Sequence, residues 1–169
     1  MAAFQKLGRT GFAGAAEKII VSWALLGGLV LLGVVGVNIY SVIGNMLGAP
    51  FPGDIELTQM GVVVAIFSFL PFCQITDSNV TADIFTSKVR PRTQAFLALL
   101  ASLIAFGFAL LLLWRMYNGM SDQREYEYTT TILQMPIWFS YLPVLFSLAL
   151  LALASLITLK ENSQHVIEG

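Results

Sequence analysis

Four long stretches of this chain carry no charged side chain, and they constrain its fold more than any other feature. They lie between Lys18 and Asp54, between Glu56 and Asp77, between Arg92 and Arg115, and between Glu127 and Lys160. About 20 apolar residues span the hydrocarbon core of a bilayer, and an ionised side chain at its centre costs at least about 2.5 to 3.5 kcal/mol. Uncharged windows of this length therefore predict an all-α integral membrane protein with four transmembrane helices.

The composition favours the same class. Hydrophobic residues make up 57% of the 169 and charged residues only 11%, whereas a soluble domain has about 25% charged residues. The formal net charge of −1 excludes the broad basic surface with which proteins replace the counterions of nucleic acids, so we predict no nucleic-acid partner. The single cysteine, Cys73, cannot form a disulfide within the chain, and a buried free thiol is its plainest interpretation.

Glycine and proline indicate where the helices end. A cluster of both residue types at 44–53 should end the first helix. We predict one membrane domain over 1–169, with spans at about 19–44, 56–76, 93–114 and 136–159. Pro136 would lie in the first turn of the last helix, where its missing N–H is harmless. Apolar residues at helical spacing in the loop 77–92 predict a short helix at the membrane surface.

The distribution of basic residues predicts the orientation, because Lys and Arg flanking the spans are retained on the cytoplasmic side. One side would receive Lys6, Arg9, Lys18, Lys88, Arg90, Arg92 and Lys160, and the other only Arg115 and Arg124. Both termini should therefore be cytoplasmic, in a multi-pass protein surrounded by membrane lipids.

Small residues recur at helical spacing in the third span. Ala101, Ala105 and Ala109 are four residues apart, which gives one narrow smooth face. In lipid, helices associate largely through close backbone approach at small residues. Two interpretations are open: a docking face for another subunit, or ordinary packing within the four-helix unit.

Several chemistries are excluded by the residue inventory. The only histidine, His165, follows the last span, so paired axial ligands for haem, a serine–histidine hydrolase and a metal-dependent membrane protease all lack their residues. We predict no catalytic residue, no cofactor and no metal site, and hence a protein that is not an enzyme.

A self-sufficient ion-coupled carrier is also disfavoured. Such carriers normally place an ionisable residue within a span, and none of the four windows has one away from its ends. Uncharged polar residues in the spans could line a path, although interhelical hydrogen bonds are the commoner role for isolated amides. These residues are Asn38, Ser41, Gln59, Ser68 and Gln74.

Three segments together resemble a known family. The segment 53–56 leading into 57–69, the segment 79–85 and the segment 134–141 are similar in order and spacing to the small membrane subunit, DctQ type, of tripartite ATP-independent periplasmic (TRAP) transporters. The length, the four spans and the predicted inner termini also match, so the resemblance extends over nearly the whole chain.

The resemblance suggests which residues matter. In that family, a Glu at the start of the second span corresponds to Glu56 and an inner-loop Asp to Asp83. A Pro and a Trp before the last span correspond to Pro136 and Trp138. Many members have histidine where this chain has Asn79, which argues against a pH-sensitive role there. Local structure is the competing interpretation for all four: a helix cap, a loop charge, a helix-start proline and an interfacial anchor. A contact with a partner is the other interpretation of Glu56.

The resemblance also implies a division of labour. A large TRAP membrane subunit would hold the substrate and sodium sites, and a periplasmic substrate-binding protein would deliver an organic acid such as a carboxylate or a sialic-acid-like substrate. The small subunit would brace the large one in a bacterial inner membrane. The alternatives are a free-standing four-helix channel or small-molecule exporter, and a membrane anchor for an enzyme complex.

Overall fold

The computed structural model describes residues 11–49, 51–76 and 91–168. The regular secondary structure of these residues consists of helices. The four helices are α1 (Gly11–Met46), α2 (Asp54–Ile75), α3 (Pro91–Glu125) and α4 (Trp138–Glu168). Each includes a stretch long and apolar enough to cross a membrane. The predicted all-helical architecture with four such helices is confirmed, whereas the positions of the membrane boundaries and the side of each terminus stay predictions.

The helices extend beyond the expected spans. α3 continues past Arg115 to Glu125, and α4 continues past Lys160, because a charged residue ends an apolar window but not a helix, and Lys, Arg, Glu and Gln are good helix formers. At its other end α4 begins at Trp138 rather than at Pro136. The expectation that Pro136 lies in the first helical turn is wrong, because its backbone pairs with Thr129 in the preceding loop.

Two predictions concern residues that lie outside the described part of the chain. These are the partner or loop role of Asp83 and most of the proposed surface helix at 77–92. Both stay predictions.

The helices lie side by side in the order α1, α2, α4, α3. α2 packs against α1 and α4, and α4 packs against α2 and α3, while α1 touches α4 only slightly. α4 is therefore the central helix, and α1 and α3 lie at the two edges. The edge helices expose most of their apolar surface, for example Leu25, Leu29 and Leu32 of α1.

The chain reverses tightly between α1 and α2. Gly48 has a φ of 74°, and the amides of Gly48 and Ala49 donate to the carbonyls of Asn45 and Gly44. This is the pattern of a Schellman motif, in which a left-handed glycine satisfies the last helical carbonyls. The α1–α2 turn and the loop 126–137 lie at the same end of the molecule, which we call the loop end; the opposite end is the tail end.

A compact core lies toward the tail end. Ile20, Ile75, Leu150 and Ala154, from three helices, form one buried cluster. Trp23 packs beside it, with its indole N–H donating to Ser147 Oγ at 2.8 Å. The hydrogen bond satisfies a polar group that lipid would leave unpaired, and it joins the edge helix α1 to the central helix.

Close backbone approach joins α1 to α2 at Gly27. A methyl group added at this glycine would lie 2.5 Å from Ser68 Cβ, and Ser68 is itself buried. Gly36, also in α1, has nothing within 4 Å of the same position. Gly27 and Gly36 therefore form a matched pair for measuring the packing contribution.

We expect Gly27→Ala to lower the free energy of unfolding by about 1–2 kcal/mol, since overpacking costs about 1–3 kcal/mol and the better helix propensity of alanine returns up to about 1 kcal/mol. Gly36→Ala should be neutral or stabilising, because only the propensity changes there. Thermal or chemical denaturation in detergent measures both. Equal stability of the two variants would mean that α1 does not pack on α2 through Gly27.

Candidate functional site

The loop between α3 and α4 folds as a small hairpin, and we call residues 126–137 the hairpin loop. Thr129 and Pro136 form an isolated antiparallel bridge. The Thr130 amide donates to the Met135 carbonyl at 2.9 Å, and the Ile137 amide donates to the Tyr128 carbonyl at 3.0 Å. These bonds give the loop a defined shape although it belongs to no helix.

The carboxylate of Glu56 holds this hairpin loop against α2. The Ile132 amide donates to Glu56 Oε1 at 2.7 Å, and the Leu133 amide donates to Glu56 Oε2 at 2.9 Å. Hydrogen bonds to an ionised acceptor are roughly twice as strong as neutral ones. Glu56 therefore ties the loop to the first turn of α2, rather than capping the helix that carries it.

A close contact beside Glu56 fixes the same loop. Gly53 precedes α2 with a φ of 89°, and a methyl group added there would lie 2.5 Å from Leu133 Cγ. The Leu133 side chain thus occupies the space that any larger residue at 53 would need. Only glycine combines the left-handed backbone with this approach at low cost.

Asp54 makes a second connection at the loop end. The hydroxyl of Ser41, near the end of α1, donates to Asp54 Oδ2, and the Ile55 amide donates to Asp54 Oδ1 at 2.8 Å. The two neighbouring carboxylates therefore bind in opposite directions. Asp54 joins α2 to α1, and Glu56 joins α2 to the hairpin loop.

Pro136 and Trp138 form the junction between the hairpin loop and α4. The Pro136 carbonyl accepts the Phe139 amide at 3.2 Å, which completes the start of α4. The Trp138 ring stacks on Phe139 with centroids 4.5 Å apart, and the Arg124 guanidinium carbon lies 5.8 Å from the Trp138 ring centroid. This last contact is a cation–π geometry that joins the end of α3 to the start of α4.

The three alanines of α3 have different surroundings. Ala109 is fully buried, Ala105 is half-buried and Ala101 is exposed. α4 is the helix that packs extensively against α3, so Ala109 contributes to packing inside the four-helix unit. Ala101 lies open to lipid or to a partner.

Most of the polar residues in the spans are engaged in hydrogen bonds. The Asn38 amide donates to Thr58 Oγ1 at 2.8 Å between α1 and α2, and Gln74 donates to Thr158 Oγ1 at 3.2 Å between α2 and α4. Ser68 donates within its own helix to the Val64 carbonyl. Ser41 is the donor to Asp54 described above, and Gln59 lines the cavity described next.

A cavity of about 300 Å³ lies under the hairpin loop, between α2, α3 and α4. Its wall is mostly apolar and includes Met60, Val63, Met116 and Val144. Glu56 and Thr130 line the part nearest the hairpin loop. The cavity thus lies directly against the Glu56 contact.

The described residues do not assemble a metal centre. Within 11–49, 51–76 and 91–168, no three His, Cys, Asp or Glu side chains lie close enough to hold an ion together. The chemistry that the loop end offers is hydrogen bonding and packing.

Sequence reasoning singled out Glu56, Pro136 and Trp138, which the structure brings to one end of the molecule. It included Gly53 only as a helix-ending residue and as part of the resemblance, and it missed Leu133 and the hairpin loop itself. Leu133 is an apolar residue in a connecting loop, and that position is the one signal that could have indicated an anchor.

Comparison with known proteins bears on most of the chain. Residues 31–165 match the family described as tripartite ATP-independent periplasmic transporters, DctQ component, and no curated protein or solved structure gave a match. The matched segment includes the C-terminal part of α1 from residue 31, the Glu56 contact, the hairpin loop and nearly all of α4. The resemblance noted in the sequence is thereby confirmed, and the chain belongs to the DctQ component family of the TRAP transporters.

Proposed function

We propose that this chain, as the small membrane subunit of a TRAP transporter, braces a large membrane subunit during sodium-coupled uptake of an organic acid. A periplasmic binding protein would deliver the carboxylate or sialic-acid-like substrate. The small subunit would widen and anchor the static part of an elevator-type transporter, so that the mobile part moves against a fixed frame.

The observation that carries the proposal is the engagement of the carboxylates at the loop end. Asp54 and Glu56 lie just before the second uncharged window. Both bind within the fold: Asp54 to Ser41 and Ile55, Glu56 to Ile132 and Leu133. A coupling carboxylate must exchange a proton or an ion between two conformations. Carboxylates that hold helices and a loop together are suited to a rigid frame instead.

The polar residues inside the spans support the same interpretation. Asn38 and Gln74 join pairs of helices, and in lipid such bonds satisfy groups that would otherwise be unpaired. Side chains engaged in this way do not offer a continuous polar path, which disfavours the channel or exporter alternative.

The arrangement of the helices supports a bracing role as well. Because α1 and α3 are edge helices, the unit presents two broad apolar flanks. One flank can lie against a large subunit while the other faces lipid. We also propose that the loop end faces the periplasm and both termini the cytoplasm of a bacterial inner membrane, following the basic residues near the tail end.

The proposal is tested by reconstituting the large subunit into liposomes with and without this chain, adding binding protein and substrate, and applying a sodium gradient. We expect uptake to fall to background without the chain. Undiminished uptake by the large subunit alone would contradict the bracing role.

The channel or exporter alternative is tested with the chain alone in liposomes. We expect no flux of small organic solutes above that of protein-free vesicles. Solute movement by the isolated chain would favour the alternative.

A further inference from the structure

The cavity under the hairpin loop has an ordered polarity. Along α2, Glu56 and Gln59 line it nearest the loop end, followed by Met60 and Val63 toward the middle of the helix. Along α4, Ser140 and Tyr141 precede Val144, and the apolar Ile137 lies just before the helix. Apart from Ile137, the wall therefore changes from polar to apolar with distance from the loop end, and an amphiphile with its polar group at the loop end would match it.

The opening of the cavity points sideways. α2 and α3 both line it, yet neither packs extensively against the other among the described residues. Gln59 and Val63 are exposed at this gap on α2. Because the gap separates two helices that are each long and apolar enough to cross a membrane, we expect it to open toward lipid.

The lining disfavours the other classes of occupant. No lysine or arginine lines the cavity, so it has no positively charged side chain to hold an anionic solute inside it. The deeper part of the wall, at Met60, Val63 and Val144, has only apolar side chains, whereas a bound water needs two to four polar partners. The thioethers of Met60 and Met116 are flexible and adapt to irregular apolar shapes, as an acyl chain requires.

We propose that this cavity binds one acyl chain of a membrane phospholipid, with the polar end of the lipid beside Gln59 and Ser140. The acyl chain would fill the space between α2, α3 and α4 and pack against the side of the hairpin loop that faces the cavity. This inference goes beyond the bracing function and does not depend on it.

The test uses the full-length protein in liposomes, alone and assembled with its large subunit, with a phospholipid that carries a photoreactive diazirine on its acyl chain. Irradiation, digestion and mass spectrometry locate the labelled residues. We expect labelling concentrated at Met60, Met116 and their neighbours on the cavity wall, in excess of the labelling at exposed positions of α1.

Val144→Phe should abolish that excess. Val144 lines the cavity and is only 3% exposed, so the larger phenylalanine side chain would fill the space that the lipid needs. Val42→Phe is the matched control, since Val42 is 61% exposed in the loop half of α1; it should leave the labelling unchanged. Val63→Trp gives a second route if Val144→Phe does not fold, because Val63 lies at the opening and is 43% exposed.

Three outcomes would overturn the proposal. Labelling of the cavity wall no stronger than that of exposed positions would indicate surrounding lipid only. Labelling that survives both Val144→Phe and Val63→Trp would place the lipid elsewhere. Loss of labelling when the large subunit is added would mean that a side chain of that subunit is the occupant. Because labelling is measured on this chain, an uptake assay that fails leaves the result standing.

Discussion

Replacing Gly53 with alanine should lower the free energy of unfolding by about 2–5 kcal/mol, the largest loss we expect from any single methyl group in this protein. Two costs combine at this position. A φ of 89° is unfavourable for a residue with a Cβ, and the added methyl group would lie 2.5 Å from Leu133 Cγ. Thermal and chemical denaturation of the purified protein measure the loss.

Gly48→Ala separates the two costs. Gly48 also has a left-handed backbone, with a φ of 74°, but nothing lies within 4 Å of an added methyl group. This variant should lose only about 1–2 kcal/mol, the cost of the backbone conformation. The double variant Gly53→Ala, Leu133→Ala should recover the steric part, which a double-mutant cycle measures. Equal losses at 48 and 53 would show that the Leu133 contact contributes nothing.

The second large effect is expected from Glu56→Ala, which removes both acceptors that hold the hairpin loop. The Ile132 and Leu133 amides would lose their partners. We expect hydrogen exchange at these two amides to accelerate by about tenfold or more, since bonds to charged acceptors are among the stronger ones in proteins. Exchange should also accelerate at Thr130 and Ile137, because the hairpin bonds depend on a docked loop.

Two control variants define the cause. Glu56→Gln keeps one carbonyl acceptor and should give an intermediate acceleration. Glu125→Ala removes an exposed carboxylate at the end of α3 and should leave exchange in the hairpin loop unchanged. If the hairpin-loop amides exchange at the same rate in Glu56→Ala as in Glu125→Ala, the loop is held by the packing of Leu133 and not by the carboxylate. Under the proposed function, we also expect Glu56→Ala to reduce binding-protein-dependent uptake by the reconstituted transporter.

Some structural features follow directly from the residue pattern. Four charge-free windows predict four membrane-spanning helices, because an ionised side chain in the hydrocarbon core is energetically costly. Gly48 ends α1 for an equally local reason, since a left-handed glycine satisfies the terminal carbonyls. The family resemblance needed only the order and spacing of a few short segments.

Other features depend on contacts between residues far apart in the chain. Glu56 lies in α2 and Leu133 in the hairpin loop, so no local spacing in the sequence relates them. A carboxylate in the first turn of a helix is typical of a cap, so local reasoning could offer for Glu56 only a cap on its own helix or a contact with a partner. The hairpin loop supplied two unpaired amides, and they bind the carboxylate instead.

The alanines of α3 illustrate the same limit. The spacing of Ala101, Ala105 and Ala109 predicts a smooth face, but it does not say what packs there. The position of α4 buries Ala109 and leaves Ala101 exposed, so one stripe is divided between internal packing and the outer surface.

The amino-acid sequence by itself determined that the chain has four helices suited to a membrane and which family it resembles, because solvation energy and helix-ending glycines act locally. Only the tertiary structure decided the side-by-side order of the helices, the Glu56 contact and the cavity beneath the hairpin loop. The physical reason is that hydrogen bonding and close packing act between whichever groups the fold brings together, and most of those groups are distant in the chain.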